Sequence, residues 1–354
     1  MTDTFNHGGD WFGFEIKHGK APLDFSANIN PLGMPEGIKK AIAFSILMSD
    51  RYPDPFCREL REKISHKESI PSAYVLCGNG AADLIYRSVY ALKPKKALVA
   101  CPTFSEYEAV LTSANCKTER YFLRDKNDFT LDEGFLDEIR PDIDMVFLCN
   151  PNNPTGLVYP RAFLMKILLR CEQVDALLFL DECFGDFLDE PDDYSLKREI
   201  TSHRNLIILK SFTKMFAMAG VRLGCCFCGD TGLIEKIRSS GQPWSVSSLA
   251  QSAGLAALDE TGFAEKTRRL IKAERTWLSV NLKKLGLRTI NGQANFIMFR
   301  CDAPLNSILP QKGILIRCCG NFAGLDETWY RAAVKTRQDN KMLIEAIKEA
   351  AAHG

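Results

Sequence analysis

The middle of the chain alternates brief apolar runs with longer stretches of helical spacing, and this rhythm restricts the fold more than any other feature. Residues 96–100, 145–149, 177–180, 206–209 and 223–227 are short, rich in aliphatic and aromatic side chains, and bounded by turn residues. Between them, 161–171 and 231–239 carry apolar residues three and four apart. Strand patterns alternating with helical ones predict an α/β fold with a mainly parallel, helix-covered sheet. Chemistry in such folds lies beyond the carboxyl ends of the strands. The unusual residues gather there: 150–156 after one strand, Asp181 closing the next, and Ser211 to Lys214 after a third.

At 354 residues the chain exceeds one small core, so a large unit plus a smaller one is expected. From about Gly241 the rhythm changes. An amphipathic helix over roughly 248–286 is predicted, then strands at 295–300 and 314–317 and a helix from Asn340 onward. The division expected is 1–45 as a loop-rich segment packing with the small domain, 46–245 as the large domain, and 246–354 as the linking helix and small α+β domain.

Forty-five basic against 44 acidic residues leave a net charge of +1 with no long single-sign block, so bulk charge favours neither nucleic acid nor an anionic membrane. Any anionic ligand must be held by a few local groups. The N-terminal twenty residues lack the apolar stretch of a secretory signal, and no apolar run approaches the length that spans a bilayer. Of the thirteen cysteines, Cys149, Cys225, Cys226 and Cys228 lie in apolar, strand-like runs. No recurring CxxC pairs and only five histidines argue against zinc. Reduced thiols in a cytoplasmic protein without metal are expected.

Lys214, in Ser211-Phe-Thr-Lys214, follows a strand, and Arg222 comes eight residues later in Gly220-Val-Arg-Leu-Gly224. A lysine beside a cation or in a desolvating setting becomes a Schiff-base nucleophile. Ser211 and Arg222 are suited to one phosphate, the arginine bidentately. Asp181, in Asp181-Glu-Cys-Phe184, ends a strand; an aspartate against a pyridine nitrogen keeps the ring protonated as an electron sink. Asn153, in the stiff turn Asn150-Pro-Asn-Asn-Pro-Thr-Gly156, is suited to a phenolate oxygen. Gly80 and Ala81, in Gly78-Asn-Gly-Ala-Ala82, open a helix whose free N–H groups suit a phosphate. Each feature alone reads equally as a loop lysine, a helix cap or a turn. Together, in this order and after successive strands, they point to pyridoxal phosphate (PLP) with Lys214 as the lysine that binds it.

These motifs resemble the fold-type I PLP enzymes, the class I/II aminotransferase superfamily, over nearly the whole chain. The resemblance implies a large domain with a seven-stranded-type sheet, Phe104 stacked on the cofactor ring, and Tyr52 of Arg51-Tyr-Pro-Asp-Pro55 reaching the phosphate in a neighbouring subunit. That makes the protein a homodimer with shared sites. The histidinol-phosphate aminotransferases carry similar motifs. Three further features are closer to the L-threonine-O-3-phosphate decarboxylases of cobalamin biosynthesis: His7-Gly-Gly-Asp10, Asp24-Phe-Ser-Ala-Asn28-Ile-Asn-Pro-Leu-Gly33, and Phe184 where the aminotransferases usually carry tyrosine. Gln242-Pro-Trp-Ser-Val246 and Ile314-Leu-Ile-Arg317 agree with that likeness. It implies decarboxylation of O-phospho-L-threonine, with His7, Gly8, Asn28, Asn153, Arg317 and Arg331 contacting the substrate. Ala81 departs from the acidic residue common at its position in relatives. Histidinol-phosphate transamination, decarboxylation of O-phospho-L-serine and a PLP-binding module without turnover remain alternatives. The Lys214–Asp181 core serves all of these chemistries and does not choose among them.

Overall fold

The computed structural model describes residues 7–352. Seven strands form the principal sheet: β1 (Val75–Gly78), β2 (Lys96–Cys101), β3 (Lys117–Phe122), β4 (Met145–Cys149), β5 (Leu177–Asp181), β6 (Leu206–Ser211) and β7 (Gly224–Cys228). Their spatial order is β1-β7-β6-β5-β4-β2-β3. All run parallel except β7, which is antiparallel to both β1 and β6. The segment joining β6 to β7 holds two short helical turns, Phe212–Met215 and Ala219–Val221, and no long crossover helix, so the chain returns antiparallel.

The sheet is apolar on both faces, as a helix-covered parallel sheet requires. Val146, Leu148, Leu178, Leu180 and Ile208 pack on one side, and Phe147, Phe179, Ile207 and Leu209 on the other. β3 escapes the apolar-run signal because it is a partly exposed edge strand, Lys117-Thr-Glu-Arg-Tyr-Phe122. β1, only four residues long, gives too short a pattern.

A second, antiparallel sheet comprises β8 (Arg288–Thr289), β9 (Phe296–Arg300), β10 (Arg317–Cys318) and β11 (Trp329–Ala333), in the order β10-β11-β9-β8. The predicted strand 314–317 is divided. Ile314–Leu315 pairs parallel with Leu23–Asp24, whereas Arg317–Cys318 joins β11. The single helix expected over 248–286 is also two, Ser248–Asp259 and Phe263–Lys284. Between them the backbone turns extended at Glu260, which caps the first helix, and left-handed at Gly262 (φ +73°), the N-cap of the second. The last helix begins at Arg337, three residues before the expected Asn340.

Residues 7–50 contain more regular structure than a loop-rich segment, with helices Trp11–His18 and Glu36–Ser45. The second packs on Ser248–Asp259. The intervening chain ties several elements together. The Phe25 carbonyl accepts from Ala333 N–H at 2.8 Å, the Asn28 carbonyl from Asn295 Nδ2 at 3.0 Å, and the Lys214 carbonyl from Asn30 N–H at 3.2 Å. No helix among the described residues is long and apolar enough to cross a membrane. All thirteen cysteines are free thiols, eleven of them buried. No group of three potential metal ligands occurs among the described residues.

Phe179 is fully buried, with its ring centroid 5.0 Å from that of Phe147. Phe179→Ala removes a large side chain from a close-packed sheet face, and we expect a loss of about 3–5 kcal/mol in urea unfolding.

Candidate active site

The carboxyl ends of β4, β5 and β6 stand level, with Cys149 opposite Asp181 and Asp181 opposite Leu209. Above them lies a cavity of about 250 Å³. Its floor includes Ala81, Phe104, Asn153, Asp181, Ser211, Lys214 and Arg222. His7, Gly8, Asn28, Arg317 and Arg331 line it from the N-terminal segment and the second sheet. Residues far apart in sequence are thus brought together. A larger cavity, about 500 Å³, lies at 54–57 and 241–246, but no lysine lines it.

Lys214 lies in the helical turn after β6, where Ser211 Oγ accepts from Thr213 N–H at 3.2 Å. Burial, together with the guanidinium groups of Arg331 and Arg222, lowers its amine to about 8, while Cys183 and Asp181 act in the opposite sense. A larger neutral fraction near physiological pH is what a nucleophilic amine needs. Lys210 is also buried, which disfavours its charge, but Asp186 and Glu68 at 2.9 and 3.6 Å outweigh burial and raise its pKa well above normal. Of these two neighbouring lysines, Lys214 is the one poised to attack a carbonyl.

Asp181 is 4% exposed. Burial raises its pKa, while hydrogen bonds from Cys183 and Tyr107 oppose that rise. Tyr107 donates its hydroxyl to Oδ2 at 2.5 Å, and Cys183 N–H donates to Oδ1 at 2.9 Å. Phe104 stands edge-to-face with Tyr107, ring centroids 5.7 Å apart.

At the other end of the floor, Gly80 has φ +81° and caps the helix Ala81–Leu92. A Cβ on Gly80 would lie 2.5 Å from Arg222 Nη2, and one on Gly224 would lie 2.6 Å from the Ala81 nitrogen. The two glycines therefore let a helix N-terminus, the Ser211 hydroxyl and the Arg222 guanidinium converge. Free backbone donors plus a forked cation constitute an anion cradle. A phosphate-bearing ring with a basic nitrogen fits this cradle, the Asp181 carboxylate and Lys214, so the residues present suit the PLP implied by the resemblance.

Arg331 is 6% exposed, and its partners are neutral. Nη1 donates to Asn153 Oδ1, Nη2 donates to the Ser26 carbonyl at 2.7 Å, and Nε has no partner. Burial lowers its pKa to about 10, Arg317 adding to the effect. Asn28 Oδ1 is likewise buried without a partner. Arg317 reaches the Cys318 carbonyl at 2.7 Å and Asn321 Oδ1 at 2.6 Å, with its guanidinium 5.1 Å from the Phe322 ring centroid. His7 Nε2 lies 2.7 Å from Glu106 Oε1, and its ring centroid is 6.0 Å from that of Phe104. Gly8 packs against the Ser26 carbonyl, where a side chain has no room.

Tyr52 is not in this cavity. It is 79% exposed and stacks on Trp244, centroids 4.4 Å apart. Gly80 stands behind Arg222 and does not line the cavity itself. Tyr107 and Cys183 escaped the reading of the sequence. Their signals were three residues beyond Phe104 and two beyond Asp181, but a tyrosine in a helical run and a cysteine after a strand pass for core.

A family model described as aminotransferase class I and II matches residues 20–347. A threonine-phosphate decarboxylase of Salmonella typhimurium is 36% identical over 330 residues, covering 92% of this chain and 90% of that protein. A histidinol-phosphate aminotransferase of Desulfitobacterium hafniense is 33% identical over 334 residues, covering 91% and 90%. The crystal structure of a histidinol-phosphate aminotransferase from Clostridium acetobutylicum superposes with a TM-score of 0.87 at 29% identity, covering 93% of this chain and 99% of that one.

Two outcomes are expected. Borohydride-trapped attachment of PLP to Lys214 should rise with pH through about 8, since the neutral amine is the reactive form and its pKa is lowered to that value. Peptide mapping of the trapped adduct checks the lysine, and a midpoint near 10 would contradict the assignment. Gly80→Ala places a Cβ against Arg222 at a left-handed φ, and we expect PLP affinity to fall by about tenfold in a fluorescence titration.

Proposed function

The chain belongs to the class I and II aminotransferase family, and on that premise we propose that it decarboxylates O-phospho-L-threonine to (R)-1-amino-2-propanol O-2-phosphate, a step of cobalamin biosynthesis. It is a PLP enzyme of the fold-type I architecture. The observation that carries the finer reading is Arg331: a buried guanidinium with an unpartnered Nε, beside Lys214 and Arg317 in one cavity. A substrate with both a carboxylate and a phosphate answers two arginines and a histidine. Phe184 supports the same reading. It is buried, packs edge-on to Phe296 with centroids 5.1 Å apart, and has no hydroxyl to offer the cofactor.

PLP, when bound, supplies the electron sink for charge left at the substrate α-carbon. Asp181 would hold the ring nitrogen protonated, and Asn153 would serve the phenolate oxygen. The Ala81 amide, Ser211 and Arg222 would hold the phosphate, and Phe104 would cover the ring. Arg331 and Arg317, with His7, Gly8 and Asn28, grip the two anionic ends of the substrate and so fix the torsion about its Cα–N bond. The bond held perpendicular to the ring is the one that breaks. With the carboxylate there, CO₂ would be the group lost, and Lys214 would be the residue placed to give a proton to the α-carbon. With hydrogen there, the same lysine would take that proton, as transamination requires.

The relatives at 31–33% identity named histidinol-phosphate aminotransferases support the second reading, transamination of histidinol phosphate with 2-oxoglutarate. A phosphoserine substrate differs by one methyl group, a weak discriminator worth about 1–3 kcal/mol. The exposed Tyr52 is proposed to serve the site of a second copy in a cytoplasmic homodimer.

Holoenzyme incubated with O-phospho-L-threonine should release CO₂ without forming glutamate, even with 2-oxoglutarate present. Glutamate from histidinol phosphate without CO₂ from phosphothreonine would reverse the assignment. Arg331→Gln should lower kcat/KM for phosphothreonine by on the order of 100-fold, because a buried charge-assisted contact is lost.

A further inference from the structure

Tyr107 is a fully buried titratable group that the reaction above does not use. Its ring is clamped in place, stacked on Phe147 at 5.1 Å and edge-to-face with Phe104 at 5.7 Å. Its hydroxyl consequently has a fixed direction, and it donates to Asp181 Oδ2 at 2.5 Å. The other oxygen of that carboxylate accepts Cys183 N–H. Around Asp181 the titratable groups are Tyr107, Cys149, Cys183 and Lys214. Asp181 is 4% exposed, and the hydrogen bonds to its two oxygens come from neutral donors, the Tyr107 hydroxyl and Cys183 N–H.

We propose that Tyr107 is a positioning residue for the cofactor chemistry, holding Asp181 ionised and aimed so that the carboxylate meets the protonated ring nitrogen. The proposal rests on the PLP reading of the site and is independent of which substrate is used. The bond is charge-assisted and sits in a low-dielectric setting, where one donor matters more than in water. Removing it leaves a buried carboxylate short of one donor. The carboxylate then retains its own proton more readily, and less positive charge rests on the ring nitrogen. A less electron-poor ring makes the nitrogen joining Lys214 to the cofactor more basic.

Tyr107→Phe deletes the hydroxyl and keeps the ring packing. It should raise the PLP dissociation constant about tenfold and move the pH titration of the visible Lys214–cofactor absorbance to higher pH. Against an Asp181→Asn background, the same substitution should add little to either readout, because the carboxylate it acts through is gone. Equal losses in both backgrounds would reduce Tyr107 to a packing role and overturn the proposal, as would an unchanged dissociation constant and titration in the single variant. Should Tyr107→Phe fold poorly, 3-fluorotyrosine placed at 107 provides the converse test. Its more acidic hydroxyl is a stronger donor and should move the titration to lower pH; an upward or absent shift overturns the proposal. No substrate enters these measurements, so failure of the decarboxylase reading would leave their result intact.

Discussion

Lys214, Asp181 and Arg331 share one cavity, the last two buried and the lysine partly so, with no ion pair joining any two of them. Burial disfavours the charge on each: it lowers the lysine and arginine and raises the aspartate. A folding protein gains nothing from such an arrangement, since desolvated charges cost free energy unless they are answered. The arrangement persists because much of the chain outside the cavity packs without compromise. Both faces of the seven-stranded sheet are filled with fully buried aliphatic and aromatic side chains. The cavity is kept polar and incompletely satisfied, and its cofactor and substrate are suited to complete it.

Two groups of chain segments hold the two parts of that cavity. The floor comes from the strand ends of the large sheet and from the helix that Gly80 opens, elements braced by a continuous ladder of hydrogen bonds. The substrate-facing wall comes from 7–28, from Arg317 and from Arg331, and these are stitched to one another. Leu23–Asp24 pairs with Ile314–Leu315, the Phe25 carbonyl accepts from Ala333 N–H, and Arg331 Nη2 reaches the Ser26 carbonyl. Asn30 ties this assembly to the floor. Its side chain donates to the carbonyl of Met215, one residue beyond Lys214, at 2.7 Å and to Thr267 Oγ1 at 2.8 Å.

The legibility of these features in the sequence follows their physical origin. Met145–Cys149 and Thr231–Ser239 have the bounds that apolar periodicity predicts, because a buried strand and an amphipathic helix must each show their burial in their pattern. β3 was invisible because an edge strand needs no buried run. The break at Gly262 was overlooked because helical spacing continues on both sides of it, and one glycine after Glu260-Thr261 was a weak stop signal. Among the residues that line the cavity, those whose side-chain chemistry is conspicuous are the ones the sequence singles out: Lys214, Asp181, Asn153 and the arginines. Tyr107 is not among them, since its role comes from a side-chain direction fixed by Phe147 and Phe104, which no linear spacing states.

The same division bears on how one floor can serve two reactions. On the proposed reading, Lys214, Asp181, Asn153, Ser211 and Arg222 would act on the cofactor and would be indifferent to which bond at Cα is broken. The choice therefore falls to the wall, and there a difference of torsion suffices, because overlap with the ring falls as a bond leaves the perpendicular. Arg331 already donates to Asn153 Oδ1 across the join between wall and floor. A change of one or two wall residues can thus redirect the reaction with the floor left intact.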